Sequence, residues 1–538
     1  MILTDWEGIW MEKWFVAMKK ADFNGIAEKY QISPIIARLM RNRDVVGDDA
    51  IDFYLNGTVE NLYDGLLMKD MDRAVDILKE KIEEGKKIRV IGDYDIDGVN
   101  ATYILQQGLA GLGADVDTDI PDRIKDGYGL NQMLIDRALE DDVDTIVTCD
   151  NGIAAMSEIA YGKENGMTIV VTDHHEVPYL EENGKKKYLL PPADAVVDPH
   201  RADCEYPFKG LCGAAVAYKL VEVLYRVSGK SEQEVEHLQD NLMENVAIAT
   251  IGDVMDLVGE NRVFVKKGLE LLKTTKNEGL HALMQCTGVD TANLNTYHIG
   301  FVLGPCINAG GRLDTAKRAL ELLNASNRRE AVTLAADLKE LNDSRKEMTE
   351  EGVEEAVRQI ESSSWKDDQV LVVYLPECHE SIAGIIAGRI KERYYRPTFV
   401  LTKGETGVKG SGRSIESYSM YEKLCECKEY LTKFGGHPMA AGLSLEEENV
   451  ERFRRKLNEQ SGLTEEDLVE KVTIDVPMPI HYIRKDLVQE LSLVEPFGKG
   501  NEKPLFAQKN LWISQLRVFG KNRNVVKMRL TDENGYPM

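Results

Sequence analysis

The chain has 538 residues and a formal net charge of −25. This length exceeds what one hydrophobic core supports, so we expect two to four domains. The acidic balance excludes wholesale electrostatic attraction to nucleic acid, and any nucleic-acid site must therefore consist of a few placed basic residues. No apolar run is long enough to span a bilayer, and the N-terminal residues lack a secretory signal pattern. With eight scattered cysteines, these features favour a cytoplasmic protein with reduced thiols.

Residues 1–84 are predicted to form an N-terminal helical region, because apolar residues recur there at helical spacing. From residue 85 the pattern changes, and short apolar segments at 87–91, 145–149, 167–172 and 195–197 alternate with helical stretches. Strands that alternate with helices indicate an α/β fold with a parallel sheet covered on both faces. We expect this domain to span residues 85–326 and to be mostly helical from residue 211 onward.

Acidic residues follow each of the four predicted strands. They are Asp93, Asp95 and Asp97 after the first strand, Asp150 after the second, Asp173-His174-His175 after the third and Asp198 after the fourth. In parallel sheets, ligands bind at the carboxyl ends of the strands. If the chain stays extended after the first strand, its period of two places Asp93, Asp95 and Asp97 on one face.

Such a gathering of acidic side chains predicts a metal site. Singly, Asp150 is typical of a turn and Asp253 of a helix cap. Together, carboxylates in one cleft repel one another unless cations bind, and imidazole with carboxylate suits divalent transition metals. Two ions about 3.5–4 Å apart, bridged by a carboxylate, are typical of phosphoryl hydrolysis.

The rest of the chain divides by pattern. Residues 327–361 are long, charged and amphipathic, which predicts a connecting helix or two helices between domains. Residues 362–465 show a second, smaller α/β pattern. Residues 466–538 contain short strands separated by turns, which predicts a small OB-like β-barrel; few strands are counted, so the barrel can be incomplete.

Several motifs keep a fixed order along the chain. They are Gly92-Asp93-Tyr94-Asp95-Ile96-Asp97-Gly98, Asp150-Asn151-Gly152, Asp173-His174-His175, Asp198-Pro199, Gly252-Asp253, Asn308-Ala309-Gly310-Gly311-Arg312, Gly410-Ser411-Gly412-Arg413, Gly435-Gly436-His437-Pro438 and Glu495-Pro496-Phe497-Gly498. This series resembles the DHH phosphoesterase superfamily, and most closely its RecJ single-strand-specific exonucleases. The resemblance implies a DHH catalytic domain, a DHHA1 domain and an OB-like domain.

The resemblance also implies metal ligands, for two divalent cations that are Mn²⁺ or Mg²⁺. Asp95 would bind the first ion and Asp97 the second, with Asp150 bridging both. His174 and Asp253 would complete the second site, and Asp93 would support the first loop or join the first site.

The resemblance gives other residues roles around the metals. His175 would face the substrate, as a proton donor or a phosphate contact, and Asp173 either orients an imidazole or simply ends the strand. The phosphate-gripping residues of the family correspond here to Arg123, Arg312, Ser411, Arg413 and His437. In many relatives a histidine lies just before the first aspartate, whereas this chain has Ile91-Gly92.

The implied function is 5′→3′ exonuclease action on single-stranded DNA in recombination and repair, with release of 5′-mononucleotides. The implied partners are single-stranded DNA and, by family analogy, a single-strand-binding protein and a helicase, and we expect a monomer. One alternative is a DHH phosphodiesterase of short oligonucleotides or cyclic dinucleotides. Another is a catalytically silent scaffold that binds DNA, although the retained carboxylates argue against it.

Overall fold

The structure is a computed structural model that describes residues 12–122, 129–182, 184–404, 407–520 and 523–537. The chain separates into two units. The larger unit comprises Val16–Glu340 and Ile474–Met538, and the smaller unit comprises Met1–Phe15 and Leu341–Thr473. One helix, Arg328–Glu361, continues without interruption from the larger unit into the smaller one. None of the helices in the described residues is long and apolar enough to cross a membrane.

A five-stranded parallel sheet organises the larger unit. Its strands, in spatial order, are Asp115–Asp119, Lys87–Ile91, Thr145–Cys149, Thr168–Thr172 and Ala195–Val197. The central strands are buried on both faces, which explains why Ile and Val are frequent in them on both sides of the sheet. The predicted parallel sheet is confirmed.

Helices cover both faces of this sheet, as expected. On one face, Val90, Val147 and Val170 pack in one core with Leu105 and Leu220 of two covering helices. On the other face a second core joins Ile146, Ile169 and Val171 to Leu134 and Ile159 of two shorter helices. The helices around the sheet are Met71–Glu83, Ile96–Gly111, Gln132–Glu140, Met156–Glu164, Gly213–Val227, Glu232–Gly252, Gly259–Leu272, Glu278–Thr287, Gly304–Leu313 and Lys317–Leu323.

The N-terminal helices share a core with the C-terminal region. Helices Phe23–Tyr30, Pro34–Asn42 and Asp48–Asn56 come first in the larger unit. Ile36, Leu39 and Tyr54 from these helices pack with Met478 and Val494. The first and the last of the predicted domains therefore bury one another's apolar side chains.

The remaining strands of the larger unit form two-stranded ladders. They are Tyr179–Glu182 with Lys185–Tyr188, Val476–Pro477 with Phe506–Ala507, and Trp512–Phe519 with Val525–Thr531. The last two ladders and helix Lys485–Glu490 lie within residues 466–538, the region predicted as OB-like.

The smaller unit contains a mixed five-stranded sheet. Its strands, in spatial order, are Leu431–His437, Ala440–Leu445, Val408–Arg413, Thr398–Lys403 and Leu371–Tyr374. Its helices are Ala383–Tyr394, Met420–Cys425 and Val450–Glu459, and strands Lys13–Val16 and Lys471–Ile474 form a separate ladder. The second α/β pattern of the sequence corresponds to this sheet, while the predicted domain limits themselves stay a prediction.

Candidate metal centre

The acidic residues of the sequence motifs meet at the carboxyl edge of the parallel sheet. Among the described residues, three groups of three side chains bring possible ligand atoms within 4.8 Å of one another. The groups are Asp93–Asp95–Asp150, Asp97–His174–Asp253 and Asp150–His174–His175. Asp150 and His174 thus link two sets of ligands that come from separate loops.

Asp150 occupies the centre of this arrangement. Its backbone has a φ of 58°, a left-handed conformation that Asp tolerates better than most residues and that often marks functional sites. Its Oδ1 lies 3.0 Å from Nε2 of His174. The same imidazole nitrogen lies 3.6 Å from Oδ2 of Asp97 and 3.8 Å from Oδ2 of Asp253.

The first motif adopts a different local structure from the one that its spacing suggested. The strand ends at Ile91, and Asp95 caps helix Ile96–Gly111 by accepting hydrogen bonds from the N–H groups of Asp97 and Gly98. The prediction that Asp93, Asp95 and Asp97 share one face of an extended strand was therefore wrong. A tight turn brings them together instead, because the helix begins immediately after Asp95.

Asp97 is held by the start of another helix. Its two carboxylate oxygens accept hydrogen bonds from the backbone N–H groups of Gly213 and Ala214, at 2.7 and 2.8 Å. These groups are the unpaired donors at the positive end of helix Gly213–Val227. A Cβ at Gly213 would lie 2.7 Å from Cβ of Asp150, so only glycine fits there.

Sequence reasoning missed the contribution of Gly213 and Ala214. The available signal was a small residue directly before a long apolar helical run, at Cys212-Gly213-Ala214. That signal does not say which carboxylate the helix faces, because Asp97 precedes it by more than a hundred residues.

Burial and mutual repulsion make the carboxyl groups hard to ionise. Desolvation and the neighbouring Asp95 raise the pKa of Asp93 to about 8. Desolvation and the charges of Asp97 and Asp95 raise the pKa of Asp253 to about 8, and the same causes raise the pKa of Asp150 well above its usual range. Desolvation likewise raises the pKa of Asp97. The residues of the cluster thus supply too little positive charge to offset the charges of the ionised carboxylates.

The donor set fits divalent cations. The Oδ1 atom of Asp93 is buried and has no hydrogen-bond partner among the described residues, which costs free energy unless a ligand binds to it. Carboxylates with one imidazole suit Mn²⁺ and Mg²⁺ better than they suit softer metals. Bound cations would also relieve the repulsion that raises the pKa values.

Asp173 orients its neighbours in the triplet. Its Oδ1 lies 2.7 Å from Nδ1 of His175 and accepts a hydrogen bond from the His174 N–H, while Oδ2 accepts one from the Ile153 N–H. Burial opposes a charged imidazole, but the hydrogen bond with Asp173 raises the pKa of His175 to about 9. Of the two expectations for Asp173, the structure thus has it orienting an imidazole.

Asp198, at the end of the fourth strand, lies outside the three ligand groups. It is fully buried, accepts a hydrogen bond from the N–H of His200, and desolvation raises its pKa to about 8.

Gly92 directly precedes the first aspartate of the motif, where the resemblance leads us to expect a histidine in many relatives. A Cβ at Gly92 would lie 1.9 Å from Oγ1 of Thr102. Any side chain at this position would therefore displace helix Ile96–Gly111, which explains a glycine here.

Arg312 lies close to the first motif. It lies in the last turn of helix Gly304–Leu313, and a Cβ on the preceding Gly311 would lie 2.4 Å from the carbonyl oxygen of Tyr94. Tyr94 separates Asp93 from Asp95, so Arg312 belongs to the same edge of the larger unit. Arg123 lies outside the described residues.

Ser411, Arg413 and His437 lie together on the mixed sheet of the smaller unit. Arg413 and His437 both pair with Ala440, and Ser411 pairs with Gly442, which pairs in turn with Gly435. Directly opposed residues of antiparallel strands point to the same face, so these side chains share one face. A guanidinium nitrogen of Arg413 would lie 2.8 Å from a Cβ on Gly384, in the first turn of helix Ala383–Tyr394.

Comparisons with known proteins agree with this geometry. Family profiles match residues 87–250 (DHH family, N-terminal domain), 367–462 (DHHA1 domain) and 474–538 (RecJ OB domain). The single-stranded-DNA-specific exonuclease RecJ of Haemophilus influenzae is 32% identical over 93% of this chain and 88% of its own length. The chain belongs to the RecJ family of single-stranded-DNA-specific exonucleases. The predicted DHH, DHHA1 and OB domain types are confirmed.

Two further likenesses bear on length and metals. The RecJ of Bacillus subtilis is 36% identical over 95% of this chain, which spans 63% of that relative's length. The Thermus thermophilus RecJ structure in complex with Mn²⁺ is 28% identical, covers 96% of this chain and 73% of its own, and superposes with a TM-score of 0.81. A Mg²⁺ complex of the same protein gives a TM-score of 0.74. Neither alternative function is favoured by these comparisons.

Proposed function

We propose that this chain is a metal-dependent exonuclease that degrades single-stranded DNA in the 5′→3′ direction and releases 5′-mononucleotides. The observation that carries the proposal is the pair of ligand groups that meet at Asp150, at the carboxyl edge of the parallel sheet. Membership of the RecJ family supports the substrate class.

We assign the metal ligands as follows. Asp95 and Asp93 hold one cation. Asp97, His174 and Asp253 hold the other, and Asp150 bridges the two cations. Two bound divalent cations, Mn²⁺ or Mg²⁺, supply water activation and charge neutralisation for phosphodiester hydrolysis. The N–H groups of Gly213 and Ala214 fix the Asp97 carboxylate in its orientation.

His175 is the proposed proton donor to the leaving oxygen. Its side chain is 43% exposed, so it can reach substrate, and Asp173 fixes its orientation through Nδ1. The hydrogen bond with Asp173 favours the protonated imidazole, which is the form that can donate a proton.

Phosphate binding is assigned to Arg123, Arg312, Ser411, Arg413 and His437. The exposed Gly435 near His437 supports this role. A Cβ on Gly435 would meet nothing within 4 Å, so a phosphate can approach the backbone there. The helix that begins beside Arg413 adds favourable N–H groups for an anion. Arg suits phosphate because its fork donates two parallel hydrogen bonds.

We place this activity in recombination and repair in the cytoplasm, carried out by a monomer. All eight cysteines are free thiols, which supports a reducing compartment. A single-strand-binding protein and a helicase are the proposed protein partners. We keep the domain limits 1–84, 85–326, 327–361, 362–465 and 466–538 as part of the proposal.

A labelled-strand assay tests the proposal. The chain is incubated with Mn²⁺ and with single strands that carry a label at either the 5′ or the 3′ end, alongside a blunt duplex of the same sequence. We expect immediate release of a labelled mononucleotide from the 5′-labelled strand, gradual shortening of the 3′-labelled strand, and little degradation of the duplex. Cleavage of dinucleotides alone, or no cleavage with any divalent cation, would overturn the proposal.

A further inference from the structure

Two aromatic rings lie exposed on the larger unit close to the metal centre. Tyr297 is 61% exposed and Phe301 is 69% exposed. Their ring centroids are 5.2 Å apart, and their planes differ by 24°. The two rings therefore stack on each other while their outer surfaces face solvent, which is an unusual use of large apolar side chains.

The helical segment that carries these rings packs against the metal-binding loops. A Cβ on Gly304 would lie 3.1 Å from Cδ1 of Ile96, which separates Asp95 from Asp97. A Cβ on Gly300 would lie 3.6 Å from Cγ2 of Ile251, two residues before Asp253. Close packing of two glycines brings the segment to the edge of the site.

The segment includes a π-helix, Ile299–Leu303, which contains Phe301 and begins two residues after Tyr297. Such wide turns are rare and occur frequently at functional sites. Along the segment from Tyr297 to Leu303, Ile299 and Leu303 are buried, whereas Tyr297 and Phe301 are exposed and stack on each other. The segment is thus fixed from below and presents its rings outward.

A basic residue lies beside the same surface. The hydroxyl of Thr296 donates a hydrogen bond to the carbonyl oxygen of Phe497, and the Leu257 N–H donates one to the carbonyl oxygen of Lys499. The loop that carries Lys499 therefore lies between the start of the aromatic segment and the chain that follows Asp253. Nζ of Lys499 lies 3.3 Å from Oδ1 of Asp256, three residues after Asp253, and the lysine side chain is 59% exposed.

We infer that Tyr297 and Phe301 form a base-stacking shelf for the DNA strand whose terminal phosphodiester lies at the metal centre. Nucleobases stack on aromatic rings whatever their sequence, and a neighbouring cation attracts the backbone phosphates. The inference rests on the proposed function. It adds two residues that position substrate to a site otherwise built of metal ligands and phosphate contacts.

The test combines ring substitutions with substrates that lack a base. Single-stranded oligonucleotides carry one abasic nucleotide at successive positions from the 5′ end. With the unaltered chain, we expect one or two positions to raise KM by at least about 5-fold while kcat changes less. Y297A and F301A should raise KM for the intact strand by about 5- to 150-fold and abolish the abasic penalty.

Matched variants separate stacking from bulk and from folding. Y297F and F301W keep the ring and should retain the penalty, whereas F301L keeps apolar bulk and should lose it. L67A removes a side chain that is 49% exposed elsewhere on the larger unit and should change nothing. Binding of 2-aminopurine strands to the unaltered chain in EDTA gives an independent measure, since stacking should quench the fluorescence at the same positions.

The outcomes distinguish the shelf from the proposed function. If the chain cleaves single strands but the abasic penalty survives in the Y297A/F301A double variant, the shelf is wrong and the exonuclease stands. The same holds if no 2-aminopurine position is quenched. If the unaltered chain cleaves no single strand, the proposed function fails, and quenching that F301L removes would still support a strand-binding shelf.

Discussion

Two groups of buried charges in the larger unit differ in how they are balanced. Lys219 and Glu260 are 1% and 0% exposed, and Nζ of Lys219 lies 3.1 Å from Oε1 of Glu260. The Tyr206 hydroxyl and the Tyr63 N–H donate further hydrogen bonds to the same carboxylate. This pair is complete within the chain.

The metal centre gathers several carboxylates around one central imidazole, and burial and repulsion raise the pKa values of four of these carboxyl groups. A fold retains such an unbalanced cluster when an external cation completes it, since a balanced pair would otherwise be more stable. The contrast therefore separates charges that stabilise the fold from charges that serve a ligand.

The largest expected effect follows from Asp150→Asn. Asparagine keeps the side-chain shape and tolerates the left-handed backbone at this position, but it removes the shared charge. We expect exonuclease kcat to fall by at least about 10³-fold. The metal-free variant should unfold at the same temperature as the unaltered chain or higher, because repulsion is reduced.

Asp144→Asn is the matched control for this substitution. Asp144 precedes the strand that Asp150 follows, and its carboxylate lies 2.7 Å from Nζ of Lys81, away from the ligand groups. The Asp144→Asn variant should be as active as the unaltered chain. Normal turnover by the Asp150→Asn variant would contradict the proposal that Asp150 bridges the two cations.

Lys219→Met should reduce the stability of the fold and leave metal binding unchanged, which is the opposite of what we expect for Asp150→Asn. It leaves the Glu260 carboxylate buried without its cation, so we expect the free energy of unfolding to fall by about 3–5 kcal/mol. Urea denaturation measures this loss. The Mn²⁺ affinity of the folded variant should not change, and a variant as stable as the unaltered chain would contradict our description of the pair.

Glu244→Gln tests a buried carboxyl that accepts a hydrogen bond from a neutral group, the hydroxyl of Thr275. Desolvation raises the pKa of Glu244 from 4.5 to about 7. Between these values the folded chain keeps a proton that the unfolded chain releases, so stability falls as the pH rises from 4.5 to 7. Glutamine avoids this loss, and the variant should be more stable by about 3 kcal/mol at pH 8 and equally stable below pH 4.5.

Denaturation of both proteins across this pH range measures the difference. Equal stability of the two proteins at pH 8 would show that Glu244 pays no desolvation cost.

Asp173→Asn should have the smallest effect of the four. The amide oxygen can still accept a hydrogen bond, but the amide carries no negative charge to attract the imidazole, so the orientation of His175 loosens. We expect kcat to fall by about 10- to 100-fold with little change in KM. A KM change alone would indicate that Asp173 supports substrate binding instead.

The sequence predicted the edge of the sheet that holds the site, but not how its members meet. Runs such as 145–149 consist of uncharged, mostly β-branched residues, and an acidic residue follows each, so the strand ends could be located. The partners of Asp97 could not be, because its carboxylate is held by the N–H groups of Gly213 and Ala214, far along the chain.

Local structure also departed from period-two reasoning at the first motif. Asp95 caps a helix, and helix capping competes successfully with continued extension when an Asp precedes a helical run. The aromatic shelf was not predicted, since a Tyr and a Phe four residues apart are as typical of a core face as of an exposed one.

The central claim is that two cations share Asp150. Crystals of the chain soaked in Mn²⁺, with anomalous diffraction data collected at the manganese edge, test it most directly. We predict two anomalous peaks, both within ligand distance of the Asp150 carboxylate, one beside Asp93 and Asp95 and the other beside His174 and Asp253. A single peak, or two peaks of which only one contacts Asp150, would contradict the account.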